Sequence, residues 1–115
     1  MTKTRNDLVL RALKDLGVLP QGQTASDEEY DSVDDHVTPL LEDLSARDIF
    51  YVPDEEAIDE AAFLALGRCL AWACASEFGA GQDAALASLA QQAELQLLKI
   101  KSQRPTYAIL KTQYF

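Results

Sequence analysis

The sequence predicts an all-α protein: a small antiparallel bundle of three to five helices, followed by an extended C-terminal tail. Three observations predict it. Only five Gly and four Pro punctuate 115 residues, so few points are forced out of regular structure. Alanine and leucine dominate the second half, which favours helix over strand. Apolar residues recur at threes and fours along separate stretches, the spacing of one helix face. A chain of this size buries one modest core, so residues 1–102 are expected to form one domain and residues 103–115 a tail.

The first helix is expected over residues 5–16. Thr4 is a good N-cap, and Asp7 lies near the positive helix end. Leu8, Val9, Ala12, Leu13 and Leu16 share one face; Arg5, Arg11, Lys14 and Asp15 occupy the other. Gly17 is a C′ stop, with Pro20 shortly beyond. Residues 18–25 read as a loop, with turn chemistry from Pro20, Gly22 and Thr24. The second helix starts at Ser26, which forms a capping box with Glu29, while Asp27 and Glu28 add favourable first-turn charge. Tyr30, Val33, Val37, Leu40, Leu41 and Leu44 trace its apolar stripe. Pro39 falls inside this pattern and should kink the helix or split it at Thr38, because proline removes a backbone donor and crowds the preceding turn.

Residues 45–53 read as a connector. Within it, Ile49-Phe50-Tyr51-Val52 is β-prone but too short to make a sheet alone. It should lie extended on the helices or pair with something else. The third helix is expected over residues 54–78, with Asp54 as N-cap and Glu55 and Glu56 favouring the start. Ile58, Ala61, Ala62, Ala65, Leu66, Cys69, Leu70, Trp72, Ala73 and Phe78 make it apolar nearly all round, the mark of a central helix. Arg68, Glu77 and the many alanines argue for a core helix over a membrane span, and Trp72 for a core side chain. Gly67 would let a neighbour approach closely, and Gly79 and Gly81 end the helix. The fourth helix is expected over residues 82–102, on Leu86, Leu89, Ala90, Ala93, Leu97 and Ile100; Pro105 rules out simple continuation.

Charge is segregated along the chain. The net charge is -9, so the surface should repel nucleic acid overall. Residues 26–60 carry fourteen acids and one base, Arg47, whereas four bases and no acids follow Glu94. Two surfaces meant for different neighbours are expected. The tail combines Arg104, Pro105, Tyr107, Ile109, Leu110, Lys111, Tyr114 and Phe115, which is too apolar for a segment left in water. It should dock in a partner's groove, for instance by strand addition, or fold back on its own domain.

Catalytic chemistry is not expected. His36 stands alone among Asp34 and Asp35, short of a metal-ligand set, and no cofactor or metal is foreseen. Asp34/Asp35, Glu42/Asp43 and Glu55/Glu56 are sequence neighbours that point about 100° apart on a helix, so they make poor acid–base dyads. No glycine-rich phosphate loop or activated nucleophile motif is present. Cys69 and Cys74 read as small buried apolar residues, too far apart on a helix for a disulfide, which suits a reducing cytoplasm. Met1-Thr2-Lys3-Thr4-Arg5 leads into a charged amphipathic stretch and does not read as a signal peptide.

The order of features resembles the head-to-tail adaptor (head completion or connector) proteins of tailed bacteriophages. Thr4-Arg5-Asn6-Asp7-Leu8-Val9-Leu10-Arg11-Ala12-Leu13-Lys14-Asp15-Leu16-Gly17-Val18 looks like their opening helix with its Leu-Gly stop. Ser32-Val33-Asp34-Asp35 through Leu40-Leu41-Glu42-Asp43-Leu44 is similar to their acidic second helix. Val52-Pro53-Asp54-Glu55 then leads into an alanine-rich helix closing at Glu77-Phe78-Gly79, so the likeness spans most of residues 4–79. The inserted loop of residues 19–25 and Pro39 depart from the usual pattern. The resemblance implies a virion structural protein, not an enzyme, in the neck between head and tail and assembled in the bacterial host cytoplasm. Its partners would be the portal protein, downstream tail proteins and neighbouring copies in a ring of about twelve. Packaged DNA would pass the channel without sequence-specific binding, and no membrane would be involved. The tail residues above would dock on the portal, and Ile49, Phe50, Tyr51 and Val52 would meet a ring neighbour or the tail. Asp27, Glu28, Asp31, Asp34 and Asp35 would face the channel. The alternative is an acidic DNA mimic or regulator that occupies a DNA-binding partner.

Overall fold

A computed structural model of the chain describes residues 2–17, 26–79 and 83–103. The elements run β1 (Thr2–Lys3), α1 (Arg5–Asp15), α2 (Asp27–Ala46), β2 (Ile58–Asp59), α3 (Glu60–Cys74), a 3-10 turn (Ala75–Phe78) and α4 (Ala84–Gln103). The fold is therefore mostly helical, with four α-helices among the described residues, as its composition predicts.

α1 begins with a complete capping box. Thr4 Oγ1 accepts the Asp7 N–H at 3.2 Å, and Asp7 Oδ2 accepts the Thr4 N–H at 3.1 Å. It ends one residue earlier than expected, with Leu16 as C-cap and Gly17 left-handed at φ 78°. At the start of α2, Ser26 Oγ accepts the Glu29 N–H at 3.2 Å and donates to the Glu29 carboxylate at 2.7 Å. Glu29 thus secures the capping hydroxyl itself.

α2 does not split at Thr38. It runs unbroken through Pro39 for 20 residues. Pro39 and Asp35 are both exposed, so the Asp35 carbonyl that loses its donor lies on the hydrated side of the helix. Its C-terminus is a Schellman motif. The Ile49 N–H reaches the Leu44 carbonyl at 2.9 Å and the Asp48 N–H reaches that of Ser45 at 3.0 Å. Asp48 fills the left-handed position, with φ 58°, that glycine normally takes.

The third helix starts later than expected. Asp54 caps only a turn, accepting the Glu56 N–H at 3.0 Å, and the N-cap of α3 is Asp59, which accepts the Ala61 N–H at 2.9 Å. The delay arises because Ile58 pairs with Lys3, and Asp59 with Thr2, in a two-strand antiparallel ladder. This ladder joins the N-terminus to the head of α3. The β-prone residues Ile49–Val52 are not part of it.

α3 is the hub. α1 and α2 pack on it and on each other, while α4 packs on α3 alone apart from marginal contacts. Leu8, Leu13, Val33, Val37, Leu44, Leu66, Leu70 and Leu97 are almost wholly buried between them. Each such leucine contributes about 2–3 kcal/mol relative to exposure. The segment Glu60–Phe78 is long and apolar enough for a membrane span, but half of its apolar window is buried against the other helices. Gly67 lets α1 come close: a Cβ there would lie 2.9 Å from Arg11 Cγ.

Candidate functional site

The exposed surface of α2 is the most strongly charged element of the fold. Asp27, Glu28, Asp31 and Asp35, four of the five expected channel-facing acids, are exposed. The fifth is not. Asp34 turns inward toward Arg5, whose Nε donates to Asp34 Oδ1 at 2.7 Å and whose Nη2 donates to the Asp34 carbonyl at 2.9 Å. Arg5 Nη1 also reaches Thr38 Oγ1 at 3.0 Å and the Glu55 carboxylate. The hydrogen bond that Arg5 donates to Asp34, ahead of the one it donates to Glu55, raises the Arg5 pKa against the opposing effect of burial. Asp34 thus serves to fasten α1, α2 and the connector. Conversely, Glu42 joins the acidic stripe, being exposed and seven residues beyond Asp35. Glu28, Asp31, Asp35 and Glu42 lie at i, i+3, i+7 and i+14, one helix face about 21 Å long.

Sequence reasoning missed Arg5 and Glu42. A signal existed for each. A base at the first helical position opposes the helix dipole, which asks for a tertiary acid. Two turns separate Glu42 from Asp35, so periodicity places them together.

The run Ile49–Val52 cannot present four side chains to a neighbour. Ile49 and Phe50 are each only 7% exposed and belong to the core, because the Schellman turn folds Ile49 back onto Leu44. Tyr51 alone stands out, at 68% exposed, with Val52 half-buried beside it. Tyr51, Val52, Leu41, Ala46, Thr38, Ser45, Glu42 and Glu55 line an open concavity of about 340 Å³. Its floor is apolar and its charged rim wholly acidic.

A second, smaller cavity of about 150 Å³ opens between α2, α3 and α4. Leu40, Leu44, Cys69, Ala73 and Ala90 line it, with Trp72 at its edge. Trp72 was expected in the core but is 36% exposed. It shares the outer stripe of α3 with Leu64 and Arg68 at four-residue spacing and borders α2 and α4 across the cavity. Arg47 closes the cavity by bonding Asp43 at 2.7 Å and Glu94 at 2.8 Å. α4 also leaves Leu89, Leu95 and Leu98 exposed, since packing on one helix uses only a narrow apolar stripe.

The groups that could do chemistry are engaged structurally. His36 is half-buried; Nδ1 lies 2.9 Å from the Ser32 carbonyl and Nε2 lies 3.5 Å from Glu77, so the ring ties α2 to the turn after α3. Burial pushes the thiols of Cys69 and Cys74 up to about 12, which suppresses thiolate chemistry. Among the described residues, no three His, Cys, Asp or Glu groups converge as for a metal ion. The expected docking residues Arg104, Pro105, Tyr107, Ile109, Leu110, Lys111, Tyr114 and Phe115 lie outside the described residues.

No protein-family model matches the chain, and comparison with curated proteins and with solved structures likewise gives no match.

Proposed function

We propose that this protein is a head-to-tail adaptor of the tailed-bacteriophage type: a virion component that joins the portal ring to the tail and extends the DNA channel. The observation that carries the reading is the split between a folded acidic bundle and an acid-free C-terminal segment bearing Tyr107, Ile109, Leu110, Tyr114 and Phe115. The segment docks on the portal, which would bury its apolar side chains. The stripe Glu28, Asp31, Asp35 and Glu42 faces the channel, where like charge keeps packaged DNA from adhering. The resemblance of residues 4–79 to such adaptors supports the same reading. The protein works in the neck of the virion after assembly in the host cytoplasm, with further copies and tail proteins as neighbours.

The test compares full-length protein with a chain ending at Gln103 for binding to isolated portal rings. Full-length protein is expected to bind and the shortened chain to lose at least about tenfold in affinity, or 1.4 kcal/mol. Equal binding by both rejects the assignment of the tail.

One observation favours a second reading, an acidic DNA mimic. The four carboxylates of the stripe run along a single exposed helix face, as phosphates run along a strand. A mimic would compete with DNA for a basic DNA-binding protein, and that competition would collapse with salt. An adaptor would not compete.

A further inference from the structure

We propose that neighbouring copies meet head to tail, with the outer stripe of α3 (Leu64, Arg68, Trp72) seated in the acidic concavity beside Tyr51 of the next copy. The inference rests on the ring reading and names the contact that would build the ring. Leu64, Arg68 and Trp72 occupy successive turns of α3, about 6 Å apart along the axis, and form a ridge in which Leu64 and Trp72 are exposed and Arg68 is half-buried between them. Leu64 is 50% exposed. A Trp and an Arg one turn apart on a partly exposed ridge are the residue types that anchor protein interfaces.

Charge identifies the occupant. Arg68 has no carboxylate partner among the described residues, although the chain holds nineteen acids. Glu42, on the rim of the concavity, likewise has no cationic partner among the described residues, and Glu55 beside it is shared with Arg5. The ridge therefore offers an apolar surface with one unpaired cation. The concavity offers an apolar floor, an exposed Tyr51 and one unpaired anion. The two surfaces are complementary and belong to different helices of the same chain. Their union is heterologous, leaving both faces of each assembled pair free to continue until rotation closes a ring.

The test is a charge exchange read by sedimentation equilibrium up to about 1 mM, the weak end of specific association. Wild type is expected to self-associate. Arg68→Glu alone and Glu42→Arg alone are each expected to weaken association at least about tenfold. An equimolar mixture of the two variants is expected to recover it, because every contact then pairs Glu with Arg or Arg with Glu. Tyr51→Ser, at a position clear of the core, should weaken association without touching either charge. Circular dichroism confirms that each variant remains helical. Wild type that stays monomeric at about 1 mM, or association that neither reversal weakens, overturns the contact. In either case binding to the portal through the tail remains to be judged separately. Charge-dependent self-association in a chain that ignores the portal would keep the contact and remove the adaptor reading.

Discussion

Arg5 stands where the dipole of α1 disfavours a cation, yet its guanidinium holds three segments at once. It bonds the side chain and carbonyl of Asp34, Thr38 Oγ1 and the carboxylate of Glu55. Charge-assisted bonds in a site only 25% exposed are stronger than surface pairs. Arg5→Ala is therefore expected to lower stability by about 1–3 kcal/mol in urea unfolding. Arg5→Lys should recover less than half of that loss, because an ammonium cannot fork between Asp34 and Glu55. This cluster was hard to read from sequence: Asp34 looks identical to Asp35, and only the fold decides which of the two turns inward. The caps were easier, since Thr4 with Asp7 and Ser26 with Glu29 act within four residues.

At the scale of elements, periodicity located the four helices of the described residues, and errors fell where a stop or start depends on distant pairing. α3 begins at Glu60 because Ile58 and Asp59 are held by Thr2 and Lys3, a contact no local pattern announces. Pro39 did not break α2, since the carbonyl it leaves without a donor, that of Asp35, belongs to the exposed side of the helix. The end of α2 was obscured because Asp48, not glycine, takes the left-handed turn. That choice has a measurable cost. Asp48→Ala is expected to destabilise by about 1–2 kcal/mol, by forcing a Cβ with no polar compensation into that conformation and by losing the Lys101 ion pair. Asp48→Gly should match or exceed wild type, because glycine adopts it freely. Thermal or urea melts of the two variants would separate these outcomes.

For the molecule as a whole, charge is distributed more sharply than the sequence total suggests. The stripe of Glu28, Asp31, Asp35 and Glu42 makes no ion pair with any described residue. Changing all four to the matching amides is therefore expected to alter stability by less than about 1 kcal/mol. The same variant should bind DNA more at low salt, measured by filter retention, since the repulsion it removes is the main barrier to a polyanion. Half of the candidate surface was legible in advance, because exposed acids follow helix periodicity. The concavity beside Tyr51 was not, as it needs the connector folded against α2. One consequence concerns force. Anything that grasps residues beyond Gln103 pulls on α4, which is moored to α3 by Leu86, Ala93 and Leu97 and to the end of α2 by Arg47–Glu94 and Lys101–Asp48. Tension along the helix axis loads these points together in shear, whereas a sideways tug would unzip them in turn, starting from Lys101.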